Sequence, residues 1–68
     1  MIRLKVKEYA QKMGFTQGRL ARAANIDPKT ARKIYQDPYA NIELHTLDRL
    51  AQVLQVDPRD LIESEPPS

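Results

Sequence analysis

Lys29, Thr30, Arg32 and Lys33 fall within five consecutive positions and offer three cations and a hydroxyl on one short stretch of chain. A second group of donors, Thr16, Gln17, Arg19 and Arg22, lies about three helical turns upstream. Such side chains suit donation to the oxygens of a polyanion. The alternative chemistries lack their parts: no paired carboxylates, nucleophile–base set or phosphate loop is visible, so no enzymatic activity is expected. His45 is the single histidine and there is no cysteine. Nothing stands at ligand spacing for a metal, and no cofactor is expected.

Charge supports the polyanion reading. Residues 1–36 carry nine cations against Glu8 and Asp27, a net +7, whereas residues 37–68 carry Arg49 and Arg59 against seven acids, a net −5. That asymmetry implies one basic face for a polyanion and one end held away from it. A lopsided but merely solvated surface fits the charges alone equally well.

The donors need elements to hold them. Val6, Tyr9, Ala10 and Met13 recur at helical spacing. Gly14 ends that first helix with a left-handed residue. Thr16 is a cap for a second helix, whose buried stripe is Leu20, Ala21 and Ala24. Gly18 inside it costs about 1 kcal/mol relative to alanine. Asn25 suits a left-handed turn. Asp27 caps a third helix with Pro28 at its first position, running to about Gln36, with Ala31, Ile34 and Tyr35 facing inward. Tyr9 and Tyr35 read as core aromatics.

Asp37-Pro38 closes the third helix. A fourth begins near Glu43 or Leu44, with Leu44, Leu47, Leu50, Ala51 and Leu54 on one face. Asp57-Pro58 opens a short fifth helix holding Leu61 and Ile62. Residues 1–62 therefore form one all-α domain of five short helices. Residues 63–68 are expected to be a disordered tail with nothing to bury. Ile2, Leu4 and Val6 also alternate with Arg3, Lys5 and Lys7, so residues 2–5 fit a short strand and a helix lead-in equally well.

Helices two and three, joined by a short turn, make a helix-turn-helix. Counting from Gln17, the fifth position must be small and is Ala21; the ninth needs a positive φ and is Asn25. The tenth and eighteenth must be apolar and are Ile26 and Ile34. With these positions, Gly14-Phe15-Thr16-Gln17, Leu20-Ala21 and the run Leu47, Leu50, Ala51, Leu54, Val56, Asp60-Leu61, the chain resembles the phage-repressor and Cro type of helix-turn-helix domain over residues 5–62. It departs from that pattern at Asn25, Ala31 and Pro28, where glycine, a larger aliphatic residue and a polar base-reading side chain are usual.

The resemblance implies a third helix in the major groove, often within a symmetric dimer. On that reading Pro28, Lys29, Thr30 and Lys33 read base edges, Pro28 by apolar contact alone. Thr16, Gln17, Arg19, Arg22, Arg32, Tyr39 and Asn41 contact the sugar–phosphate backbone. The expected function is a sequence-specific regulator of transcription, a repressor, bound to double-stranded DNA as a homodimer. The alternative is a protein-interaction module, such as the antitoxin partner of a separate toxin. No apolar run approaches the roughly 20 residues of a membrane span, and no signal peptide is visible, so a cytoplasmic, nucleoid-associated location is expected.

Overall fold

The computed structural model describes residues 1–66. Its elements in order are β1 (Ile2–Leu4), α1 (Val6–Lys12), α2 (Gln17–Ala24), α3 (Pro28–Gln36), α4 (Leu44–Leu54), a 3-10 turn (Pro58–Leu61) and β2 (Ile62–Ser64). Among the described residues no helix is long and apolar enough to cross a membrane.

Local chemistry sets most of these boundaries. After α1, Gly14 takes φ +82°, and the Phe15 amide reaches back to the Ala10 carbonyl at 2.8 Å. Thr16 Oγ1 accepts the Arg19 amide at 3.2 Å and starts α2. Asn25 ends it at φ 54°, with the Ile26 amide donating to the Ala21 carbonyl, so the chain reverses within a few residues. Asp27 Oδ1 accepts the Lys29 amide at 2.8 Å and Pro28 fills the first position of α3. Asp37 is extended because Pro38 follows it, which terminates α3.

The core is a small knot of aliphatic side chains. Val6, Leu20, Leu50, Leu54 and Leu61 are fully buried, each leucine contributing about 1.5–3 kcal/mol. Ala10, Ala24 and Ala51 sit among them and let the short helices approach closely. Two members of the expected stripes lie outside this core. Met13 is half-exposed, since it is the C-cap residue and faces away at the end of α1. Leu44 is 83% exposed, because it is the first residue of α4 and projects beyond the rim of the core.

The five-helix, all-α expectation is corrected to four α-helices, one 3-10 turn and a two-stranded sheet. Residues 58–61 make only a 3-10 turn, four residues being too few for a stable α-turn of their own. Ile62 belongs to β2 and not to a helix, at φ −127°, ψ 149°. β1 and β2 are antiparallel, pairing Ile2 with Ser64, Arg3 with Glu63 and Leu4 with Ile62. The Met1 amine and carbonyl extend the ladder to the carbonyl and amide of Glu65, each bond 2.8 Å. The disordered tail expected from residue 63 is thereby corrected for Glu63 to Glu65. The unpaired N–H and C=O groups of β1, and not apolar burial, recruit this polar segment. Residues 67–68 of that tail lie outside the described residues. Of the two readings of residues 2–5, the strand is observed over Ile2–Leu4. The Leu4 amide donates to the Pro38 carbonyl at 2.6 Å, so the sheet also ties down the loop after α3.

Candidate nucleic-acid interface

α3 packs chiefly on α2, with α1 behind it. Its inward face is Ala31 and Ile34, both buried. The outward face carries Lys29, Arg32, Lys33 and Gln36, all exposed, at the i, i+3, i+4, i+7 spacing of one helical stripe. Pro28 stands exposed at its head, and Thr30 is half-buried toward one side. Gln36 completes the stripe; at the last position of α3 it stands outside the N-terminal part of the helix from which the sequence draws its base-reading candidates.

On α2, Thr16, Arg19 and Arg22 are exposed and Gln17 is half-buried. The amides of Gln17 and Gly18 head the helix, where no intrahelical acceptor exists, so this end is positive and donor-rich. Its first turn contains no acid. A shallow cleft lined by Gly18, Ala21, Arg22, Asn25, Ile26 and Pro28 joins the two helices. The packing of α3 on α2 thus places Arg22 and Pro28 at one concavity.

The ion pairs of the described residues leave this end open. Arg3 pairs with Glu8 at 2.9 Å, Glu63 at 3.5 Å and Glu65 at 3.8 Å. The His45 ring stands 3.1 Å from Glu43, and Arg59 pairs with Asp57. None of Arg19, Arg22, Lys29, Arg32 and Lys33 has an ion-pair partner among the described residues. Within the basic half of the chain Arg3 is neutralised beside the sheet, while the cations of α2 and α3, like Lys5, Lys7 and Lys12, have no ion-pair partner among the described residues. Asp27 is the one carboxylate near the start of α3, and its oxygen is occupied by the Lys29 amide.

Tyr39 and Asn41 are placed differently from the other expected contacts. Both line a groove with Ile2, Leu4 and Ile62, and the Tyr39 hydroxyl donates to Glu65 Oε2 at 2.9 Å. That bond, with burial and nearby Glu63, raises the Tyr39 pKa. The carboxylate binds the hydroxyl into the sheet network and away from the stripe on α3. Tyr35 is a partly buried aromatic whose hydroxyl has no hydrogen-bond partner among the described residues, and burial pushes its pKa up. No group of three or more His, Cys, Asp or Glu that could hold a metal occurs among the described residues.

One positioning contact had no sequence signal. Arg49 Nη1 on α4 donates to the Asn25 carbonyl at 3.1 Å. A cation there meets the negative end of α2 and pins the turn that orients α3. Arg49 sits on the polar face of α4, where an isolated arginine reads as solvated.

A family model described as the Cro/C1-type HTH DNA-binding domain matches residues 5–67. No curated protein matches the chain.

Proposed function

The chain belongs to the Cro/C1-type HTH DNA-binding domain family, and from that premise we propose that it is a sequence-specific regulator of transcription that binds double-stranded DNA. The observation that carries the proposal is the set of five cations on α2 and α3 with no ion-pair partner among the described residues. In this reading α3 lies in the major groove, which is wide enough to admit a helix. Lys29 and Lys33 donate to guanine O6 and N7, Thr30 offers its hydroxyl or methyl, and Pro28 makes apolar contact with a thymine methyl. Arg32 flanks them and reaches phosphate. Thr16 and Gln17 present the head of α2 to a phosphate oxygen, and Arg19 and Arg22 add further backbone contacts.

The protein bound to its site occludes a promoter, making it a repressor without enzymatic activity that works in the cytoplasm at the nucleoid. Two copies on a pseudo-palindromic site supply the affinity that one short α3 lacks. Tyr39 and Asn41 are secondary candidates for backbone contact, since the Tyr39 hydroxyl must first leave Glu65.

The test is binding of Lys29→Ala and Lys33→Ala to an operator selected with the wild-type protein. Each variant is expected to lose about 1–3 kcal/mol of affinity and to relax base preference at one position. Wild-type affinity and preference in both variants contradict the assignment of α3.

A further inference from the structure

A second cleft separates α1 from the far end of α3. Lys7, Glu8 and Gln11 of α1 line it together with Tyr35 and Gln36 of α3 and Arg3 of β1. Glu8 is the one acid in this lining, and its carboxylate stands 2.9 Å from the Arg3 guanidinium, so those two charges answer each other. Lys7 is exposed and has no ion-pair partner among the described residues. The side chains of Lys7, Gln11 and Gln36 make no hydrogen bond among the described residues either. The Tyr35 hydroxyl is the one buried side-chain polar atom without a partner there. Four donors that lack a protein acceptor at one cleft, one of them a cation, suit an anionic partner.

We propose that Lys7 binds a phosphate of the DNA at this cleft, so that the nucleic-acid interface runs past the end of α3 onto α1. The length of α3 supports the assignment. Its nine residues span about 13 Å, and the major groove is about 12 Å wide. A helix of that length lying across the groove reaches from one sugar–phosphate wall to the other. The head of α3 shares its concavity with Gly18 and Arg22 of α2, whose cations serve the first wall. Gln36 at the other end then meets the second wall, and Lys7 is the free cation that shares a cleft with it.

The stripe of Lys29, Arg32, Lys33 and Gln36 therefore ends in a charge supplied by a different element. A phosphate held at each end of α3 fixes its register in the groove and carries no base information directly. This inference rests on the DNA-binding reading of α3 and adds to it a contact on α1.

The test is a salt titration of the full chain's binding to an operator selected with the wild-type protein, followed by fluorescence anisotropy of the DNA. Lys7→Gln should reduce the slope of log K against log salt by about 0.9, the share of one phosphate, and lower affinity roughly eightfold at about 0.1 M salt. Base preference should not change, and Lys7→Arg should restore slope and affinity. Lys7 is exposed in the first turn of α1, where a cation opposes the helix dipole, so its removal does not weaken the fold. Lys5→Gln removes the same charge at the N-cap of α1, where the backbone joins Leu61, and should bind like wild type. Replacing operator phosphates one at a time by neutral methylphosphonates locates the contact: one replacement should weaken wild type and leave Lys7→Gln unaffected. The proposal is overturned if Lys7→Gln keeps the wild-type slope, if Lys5→Gln lowers it equally, or if no single phosphate is silent in Lys7→Gln alone. Failure of the wild type to retain any operator would instead remove the reading of α3, and this contact with it.

Discussion

Gly14 and Gly18 accept the same substitution in the same kind of open space, yet replacement by alanine is expected to move stability in opposite directions. A Cβ built on either glycine meets nothing within 4 Å, so packing does not distinguish them. Backbone conformation does. Gly18 lies within α2 at ordinary helical dihedrals, where alanine is preferred by up to about 1 kcal/mol. Gly14 sits at φ +82°, a region that costs an L-residue roughly 1–2 kcal/mol. A chain of this length has a total stability of about 3–10 kcal/mol, so either change is a sizeable fraction of it. With a shift of roughly 4–8 °C per kcal/mol for a domain this small, the two melting temperatures should fall on either side of wild type. Their separation should be on the order of 10 °C. Thermal unfolding followed by circular dichroism, repeated in urea to give ΔG directly, measures both. Shifts of the same sign in the two variants would refute the reasoning, because the space around each Cβ is equally open.

Three further outcomes follow from named contacts. Tyr35→Phe removes a buried hydroxyl that has no partner among the described residues, so stability should hold or rise by about 1 kcal/mol; a loss in urea unfolding would show that the hydroxyl is bonded after all. Arg49→Ala takes the guanidinium from the Asn25 carbonyl and should lower operator affinity several-fold, with the slope of log K against log salt unchanged. A slope smaller by about one would make Arg49 a phosphate contact instead. Arg59 holds the Asp57 carboxyl below its ordinary value through hydrogen bonds from its side chain and amide. Because the folded-state pKa is lowered, this contact stabilises the protein above the normal carboxylate range and fades as pH falls through it. Asp57→Asn should flatten the acid limb of a melting-temperature profile below about pH 4.

The sequence carried the helix-turn-helix legibly because its constraints are local. A cap such as Asp27, a left-handed residue such as Asn25 and a small residue at Ala21 each act within a few positions, and each stands where its chemistry requires. The sheet was less legible, since it joins residues at opposite ends of the chain. Alternation at Ile2–Leu4 hinted at a strand, but Glu63-Ser64-Glu65 is polar and pairs through its backbone, which composition does not register. Apolar periodicity likewise marks Leu44 as core, because the pattern cannot show that the buried stripe of α4 begins one turn later, at Leu47. Of the candidate interface, the cations were visible by charge. The pairing of Arg3 with Glu63 and Glu65 at the far end of the chain, the Tyr39–Glu65 bond and the Arg49 tether were not, because each depends on tertiary contact.

The central claim, that α3 reads a DNA sequence, is tested most directly by selection from randomised DNA duplexes at about physiological salt. Enrichment of one short motif, in half-sites about one helical turn apart, is the predicted result. Retention without any enriched motif, vanishing as salt rises, would contradict it and leave only non-specific attraction between the α2–α3 cations and phosphate.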